Sequence, residues 1–317
     1  MNKLIYISLF LFAVASCTTD NDSQQQQQQV ISFTPKVNAT RAVLITEDNI
    51  DNVEITATRS ETDGHYFTDV AKRTADGTLA FTTPRYWLPG APLNFYAITQ
   101  SASISDKSIA NGTFQFDYSA SADDADILIG FAYNQQYTSA NRGIIPVKFS
   151  HTLALVEFAI AYDTDTDGNK VAKVEDGIIF TELALRDMAA AGHCTANSSS
   201  INWTTEAPQS WTSQSFVTAD SEGLYVGHDI FAGDLINTPD RSKSFVIIPG
   251  QTLNQLRVSF IEGRPTPYTQ TIDITPTLIE PGKRYVFNLA IKSTHVSLTG
   301  TRITDWVSSN STDITFQ

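Results

Sequence analysis

The densest carboxylate spacing in the chain is Asp163-x-Asp165-x-Asp167-Gly168. Alternate carboxylates closed by a glycine form the first half of a calcium loop, because oxygens two residues apart can converge on a hard cation. A full loop also carries a bidentate Glu at its twelfth position, where this chain has Val174, with Glu175 one place late. The flanks read as strand, not helix. The segment is therefore an acidic connecting loop, with weak calcium binding at Asp163, Asp165 and Asp167 as the alternative. Other chemistry is sparse: GxSxG, HExxH and P-loop patterns are all absent. His65, His151, His193, His228 and His295 lack ligand spacing, and His151, heading an apolar run, reads as a hydrogen-bonded structural residue. Asp123-Asp124 with Asp126 is a carboxylate group of the sort any acidic chain holds, and it does not specify a glycosidase. Tyr86, Trp87, Tyr96, Trp203, Trp211, Tyr225 and Trp306 could stack on sugars, yet most lie beside strand patterns where a core role is expected. No catalytic residue, cofactor or firm metal site follows, and the chain is not expected to be an enzyme.

The elements that carry these residues read as β throughout. The 317 residues are 41% hydrophobic and 17% charged, enough apolar chain for real cores and about the length of two domains. With 21 Lys+Arg against 34 Asp+Glu, net −13, the chain repels phosphate backbones, so no nucleic-acid partner is expected. Strand-like runs occupy residues 53–58, 93–99, 113–118, 127–132, 144–149 and 151–161. A second series occupies 178–185, 215–218, 244–248, 255–260, 270–274, 285–291 and 314–316. Turn chemistry stands at Asp63-Gly64, Asp76-Gly77, Pro89-Gly90, Asn111-Gly112 and Arg142-Gly143. The run His151-Thr-Leu-Ala-Leu-Val-Glu-Phe-Ala-Ile-Ala161 is the most apolar after the amino-terminal segment and suits a core strand. Two packed β-sandwiches in tandem fit this pattern, residues 30–165 and 166–317, with the boundary in the acidic loop.

The first forty residues carry an address. Lys3 precedes a mostly apolar run at residues 4–14, too short to span a bilayer, and then Ala15-Ser16-Cys17. This resembles a bacterial lipobox, which implies acylation of Cys17, firm anchoring by its acyl chains and an outer-membrane or cell-surface location; an ordinary secretion signal with an incidental cysteine is the alternative. With Cys17 lipidated, Cys194, in the loop-like stretch Gly192-His193-Cys194, is an unpaired thiol and no disulfide holds the fold. Residues 18–29, with six glutamines at 24–29, read as a flexible tether. Ile31, Phe33, Pro35, Val37 and Ala39 then alternate with polar residues, a half-buried strand that Pro35 marks as an edge strand. It ends at Thr40-Arg41-Ala42, where the arginine by itself reads as a solvated charge.

Taken in order, several segments resemble the fimbrillin family. They are the lipobox at Cys17, Thr40-Arg41-Ala42, Tyr86-Trp87-Leu88-Pro89 with Leu93-Asn94-Phe95-Tyr96-Ala97, and Asp126-Ile127-Leu128 leading to Phe149-Ser150-His151-Thr152-Leu153. Val246-Ile247-Ile248-Pro249-Gly250, Pro281-Gly282-Lys283-Arg284-Tyr285 and Ile303-Thr304-Asp305-Trp306 complete the set. The resemblance implies two transthyretin-like β-sandwich domains in a lipoprotein precursor and an arginine-specific surface protease that cuts between Arg41 and Ala42. Residues 30–41 would then leave, and the groove would accept a strand from another fimbrial subunit, in a homo- or heteropolymer. The physics is independent of the family: a lost strand leaves unpaired N–H and C=O groups that a donated strand can satisfy, and such a contact propagates as an open filament. Ile314 and Phe316 alternate suitably for a short donor. Stalk, tip and anchor roles all stay open, as does a host protein or glycan ligand. The competing reading is a non-polymerising surface lipoprotein that binds glycans.

Overall fold

The computed structural model describes residues 29–37, 49–120, 126–162, 178–207, 224–225, 245–262, 268–292 and 295–306. All regular structure among them is strand. The first ten are β1 (Ser32–Val37), β2 (Val53–Arg59), β3 (His65–Arg73), β4 (Leu79–Phe81), β5 (Leu93–Thr99), β6 (Ile104–Ala110), β7 (Thr113–Ser119), β8 (Leu128–Gln135), β9 (Ile144–His151) and β10 (Ala154–Tyr162). Then come β11 (Ile178–Leu185), β12 (Ala191–Ala196), β13 (Ile201–Thr205), β14 (Leu224–Tyr225), β15 (Phe245–Ile247), β16 (Thr252–Glu262), β17 (Tyr268–Leu278), β18 (Lys283–Lys292) and β19 (His295–Asp305).

Seven of them close a barrel in the order β1-β4-β3-β2-β5-β8-β9. Three four-stranded sheets follow: β13-β12-β7-β6, β15-β10-β18-β19 and β14-β11-β16-β17. Pairing crosses the expected boundary at residues 165 and 166 three times, once where β10 runs antiparallel to β15 from Ala154↔Ile247 to Val156↔Phe245. β7 pairs with β12 along Ala191↔Ser119 to Ala196↔Phe114, and β10 lies parallel to β18 from Leu155↔Arg284 to Tyr162↔Ile291.

The apolar runs follow from which faces are covered. Side chains alternate across a strand. In β5, Phe95 and Ala97 enter the barrel core while Tyr96 and Ile98 enter a second core under the β13-β12-β7-β6 sheet. β10 likewise sends Ala154, Val156 and Phe158 into the core between the two carboxy-terminal sheets and Leu155 into the second core. A strand buried on both faces has no polar side to show, so both segments read as continuous apolar runs.

The turns fall where their chemistry puts them. Asn111 and Gly112 both take positive φ, 51° and 72°, and form the two-residue loop between β6 and β7; that twist matches the right-handed twist of the flanking strands.

Two expectations are corrected. β1 is no edge strand: it pairs antiparallel with β4 at Ser32↔Ala80 and Phe33↔Leu79, and parallel with β9 from Ser32↔Ile144 to Val37↔Phe149. Pro35 is tolerated for a local reason. Ser32 N donates to Gly143 O on the β9 side (3.2 Å), and backbone polarity alternates along a strand. The position of Pro35 therefore faces the β4 side, where pairing has already stopped at Phe33. Cys194 is not in a loop but in mid-β12, fully buried, between Phe116 and Trp203 of its two neighbour strands. Cys194 is a free thiol, and burial pushes its pKa up.

Candidate functional site

The feature with functional content is the slot that β1 fills. Ile31 and Phe33 are 0% exposed and Val37 6%, all in the barrel core, and Pro35 is buried with them. Phe33 meets Phe95 and Phe81 edge to face, with centroids 5.3 and 5.9 Å apart, the geometry that ring quadrupoles favour. The alternation read from the sequence is thus the inward face of a plug.

The start of the plug is clamped from two sides. On one, Trp87 N donates to Gln29 O (3.0 Å) and Ile31 N to Arg85 O (2.8 Å), around an antiparallel bridge between Val30 and Tyr86. That clamp is braced from β3: Arg85 Nε and Nη2 donate to Asp69 Oδ2 (2.9 and 2.7 Å), and Tyr66 Oη donates to Tyr86 O (2.9 Å). On the other side stands Gly143, at φ 83°, where a Cβ would collide with the Val30 carbonyl oxygen and come within 3.2 Å of Trp87 Nε1. That indole nitrogen is buried and makes no hydrogen bond among the described residues.

A second polar feature lies at the far end of β9. His151 Nδ1 faces both oxygens of Asp126 (3.1 and 2.9 Å), both residues buried, and its ring stacks on Trp306 at 4.0 Å with 7° between planes. His151 is therefore the hydrogen-bonded structural residue expected of it. Beside it opens a cleft of about 510 Å³, walled by β8 and β9, the 197–200 turn and the 281–282 turn. Of the aromatics considered for sugar stacking, Trp87, Tyr96 and Trp306 are buried core residues and Trp203 is half-buried, its Nε1 donating to Thr152 O (2.7 Å). Trp211 lies outside the described residues, as does the side chain of Tyr225.

Cys17, Arg41, Ala42, Asp163, Asp165 and Asp167 all lie outside the described residues. Among the described residues no cluster of His, Cys, Asp or Glu could hold a metal ion. The sequence reading missed Gly143 as a contact of the leading segment; Arg142-Gly143 signalled a turn, and nothing local announced Val30 across from it. It also missed the brace from Asp69 and Tyr66, which a strand pairing alone brings to residues 85–87.

The chain matches the family model described as fimbrillin-like over residues 39–306. No curated protein sequence matches it. Among solved structures it is similar to a candidate cell adhesion protein from Bacteroides uniformis, with 14% identity and a TM-score of 0.55 over 89% of this chain and 99% of that one. A candidate cell adhesion protein from Bacteroides ovatus gives 15% identity and 0.51 over 89% and 99%. The tip fimbrial protein Mfa3 from Porphyromonas gingivalis, truncated at its C-terminus, is a looser likeness at 10% identity and 0.43 over 87% and 99%. The first two share the fold, and the extent of the family match decides the assignment: this chain belongs to the fimbrillin-like family.

Proposed function

We propose that the chain is a structural or adhesive subunit of a cell-surface fimbria, exported as a lipoprotein acylated at Cys17 and activated by cleavage between Arg41 and Ala42. Its two tandem units are transthyretin-like, residues 30–165 and 166–317. The leading strand departs after cleavage and a strand of a neighbouring subunit takes its place. The observation that carries this reading is the insertion of β1 between β4 and β9, with its apolar face sealed in the barrel core. Full burial of Ile31, Phe33 and Val37 is worth about 1.5–3 kcal/mol each, so an emptied slot leaves about 5–9 kcal/mol of apolar burial to be regained. That is a large share of the roughly 5–15 kcal/mol that holds a domain together. In the sequence Arg41 lies four residues past Val37, the last residue described in β1. Ile314-Thr315-Phe316 repeats the spacing of Ile31-Ser32-Phe33 and supports donation by a second copy. Family membership and the labels of the two relatives that share the fold support a fimbrial or adhesive role, with other fimbrial subunits as partners and the cell surface as location.

The test is treatment of the full chain with an arginine-specific protease, read by amino-terminal sequencing and by native gel. The expected product starts at Ala42 and forms oligomer ladders, and Arg41→Ala abolishes both. Equal assembly of the Arg41→Ala chain would overturn the proposal. The cleft of about 510 Å³ beside His151 favours the second reading, a glycan-binding surface lipoprotein, because it offers the Ser-rich 198–200 turn and half-buried Phe131 to a hydroxylated ligand. In that case the surface-isolated protein keeps Cys17 as its first residue.

A further inference from the structure

We infer that the slot reads the sequence of its occupant: it accepts an extended segment parallel to β9 with an aromatic residue at the Phe33 position, aliphatic residues at the Ile31 and Val37 positions, and proline at the Pro35 position only. This inference deepens the strand-exchange reading and rests on it.

Main-chain hydrogen bonds give an added strand its affinity, and the pockets for alternate side chains give it specificity. Here the pockets differ. Phe33 enters one walled by Phe81 and Phe95, two rings that meet it edge to face at 5.9 and 5.3 Å; an aliphatic side chain forfeits both contacts. The path of the backbone is fixed first. The carbonyl of Val30 lies where Gly143 alone leaves room, and the main chain of Gln29 and Ile31 is bonded to Trp87 and Arg85. A segment slid by one residue could remake these backbone bonds but would turn its apolar face outward.

Proline tolerance is directional for the same reason. Ser32 N donates to Gly143 O (3.2 Å), so by alternation Thr34 N also faces β9, its partner in the Thr34↔Pro146 pairing. A proline at 34 therefore removes a ladder bond. A proline at 35 removes none, because β4 is paired only as far as Phe33. The partner is thus a strand of stated pattern from another subunit, and Gly143 with residues 85–87 fixes the path of its backbone.

The experiment uses the full chain with an engineered protease site between Asn38 and Ala42, so that strand exchange is probed whether or not Arg41 is a natural cleavage point. After cutting, fluorescein-labelled peptides are added and binding is followed by anisotropy. The peptide of residues 29–40 should exchange with β1. Phe33→Ala in the peptide should weaken binding at least about tenfold, since the whole ring leaves a closed core. A peptide with Thr34→Pro and Pro35→Thr, equal in composition, should lose at least about tenfold through one broken backbone bond and its stranded acceptor. The reversed sequence, which keeps composition and alternation but moves the aromatic one pocket along, should also fail. If every peptide binds like the wild-type one, strand exchange stands and the sequence code is wrong. If no peptide binds, wild type included, the strand-exchange reading falls and this inference with it. Gly143→Ala in the protein should abolish wild-type peptide binding; unchanged binding would remove Gly143 from that role.

Discussion

Replacing Phe33 by alanine in the uncut chain tests whether β1 is a plug or an ornament. Phe33 is 0% exposed and two rings close on it, so little of the space it leaves can collapse. Buried Phe→Ala changes cost about 3–5 kcal/mol, and this site belongs at the upper end. One route could hide part of the loss. β1 is registered with β4 at only two residues, so its carboxy-terminal part can detach from the β9 side without unfolding the barrel. Urea denaturation of the full chain therefore needs native-state hydrogen exchange beside it. In the parallel register the amides of Ile145 and Val147 face β1, and they should lose protection in step with the plug. Val30→Ala is the control. Val30 belongs to the same leading segment but is 46% exposed, and its truncation should stay within about 0.5 kcal/mol. A Phe33→Ala loss below about 1 kcal/mol, with protection at Ile145 and Val147 intact, would refute the reasoning that burial of this face keeps the slot closed.

Cys17→Ala should leave unprocessed precursor outside the outer-membrane fraction; normal fractionation of that variant removes the lipoprotein assignment. Asp126→Ala strips the acceptor from buried His151 and should cost about 1–3 kcal/mol in urea melts, the range for stranding a buried donor. Asp76 is held down to about 2 by hydrogen bonds from Thr74 Oγ1 (2.5 Å) and from Thr78 N (3.1 Å) and Oγ1 (2.8 Å). A depressed carboxyl stabilises above its ordinary pKa of 3.8, and that stability fades as pH falls through about 2. Asp76→Ala should therefore melt below wild type at pH 7, with the gap closing between about pH 4 and pH 2; a gap that persists at pH 2 would assign the effect to packing instead.

Strands were legible where burial left a mark on composition. β5 and β11 lie where the runs at 93–99 and 178–185 place them, and every glycine-bearing turn named in the sequence holds a residue at positive φ. The missed strands are those with little apolar signal. β6, Ile104-Ser-Asp-Lys-Ser-Ile-Ala110, is a sheet edge with most side chains half or fully exposed, and β19 carries a glycine and three threonines along another edge. β12 was hidden for a different reason: its partner β7 lies far away in sequence, and a pairing of that range leaves no local trace, while β13, half or fully exposed along its length, pairs among the described residues only with β12. The same limit applies to the site. The alternation at residues 31–37 announced an apolar face, but closure between β4 and β9 depends on strands whose register no local pattern encodes, so Pro35 pointed to an edge. Its true meaning was narrower, since only one side of the strand, beyond Phe33, is free of pairing.

Closure changes what cleavage must accomplish in the proposed scheme. Cutting the bond after Arg41 breaks none of the strand pairings and backbone bonds described for residues 29–37, which run to residues 79–87 and 143–149. What it removes is connectivity. While the chain is whole, β1 is tied to β2 through residues 38–52. A connection that short keeps a released strand at an effective concentration in the mM range, so it returns before a competitor can enter. Once cut, the strand is an ordinary ligand that diffuses away when it leaves, and any donor that satisfies the same pockets competes on its own concentration. The apolar burial that stabilises the precursor thus also drives assembly, and the cut decides which strand receives it.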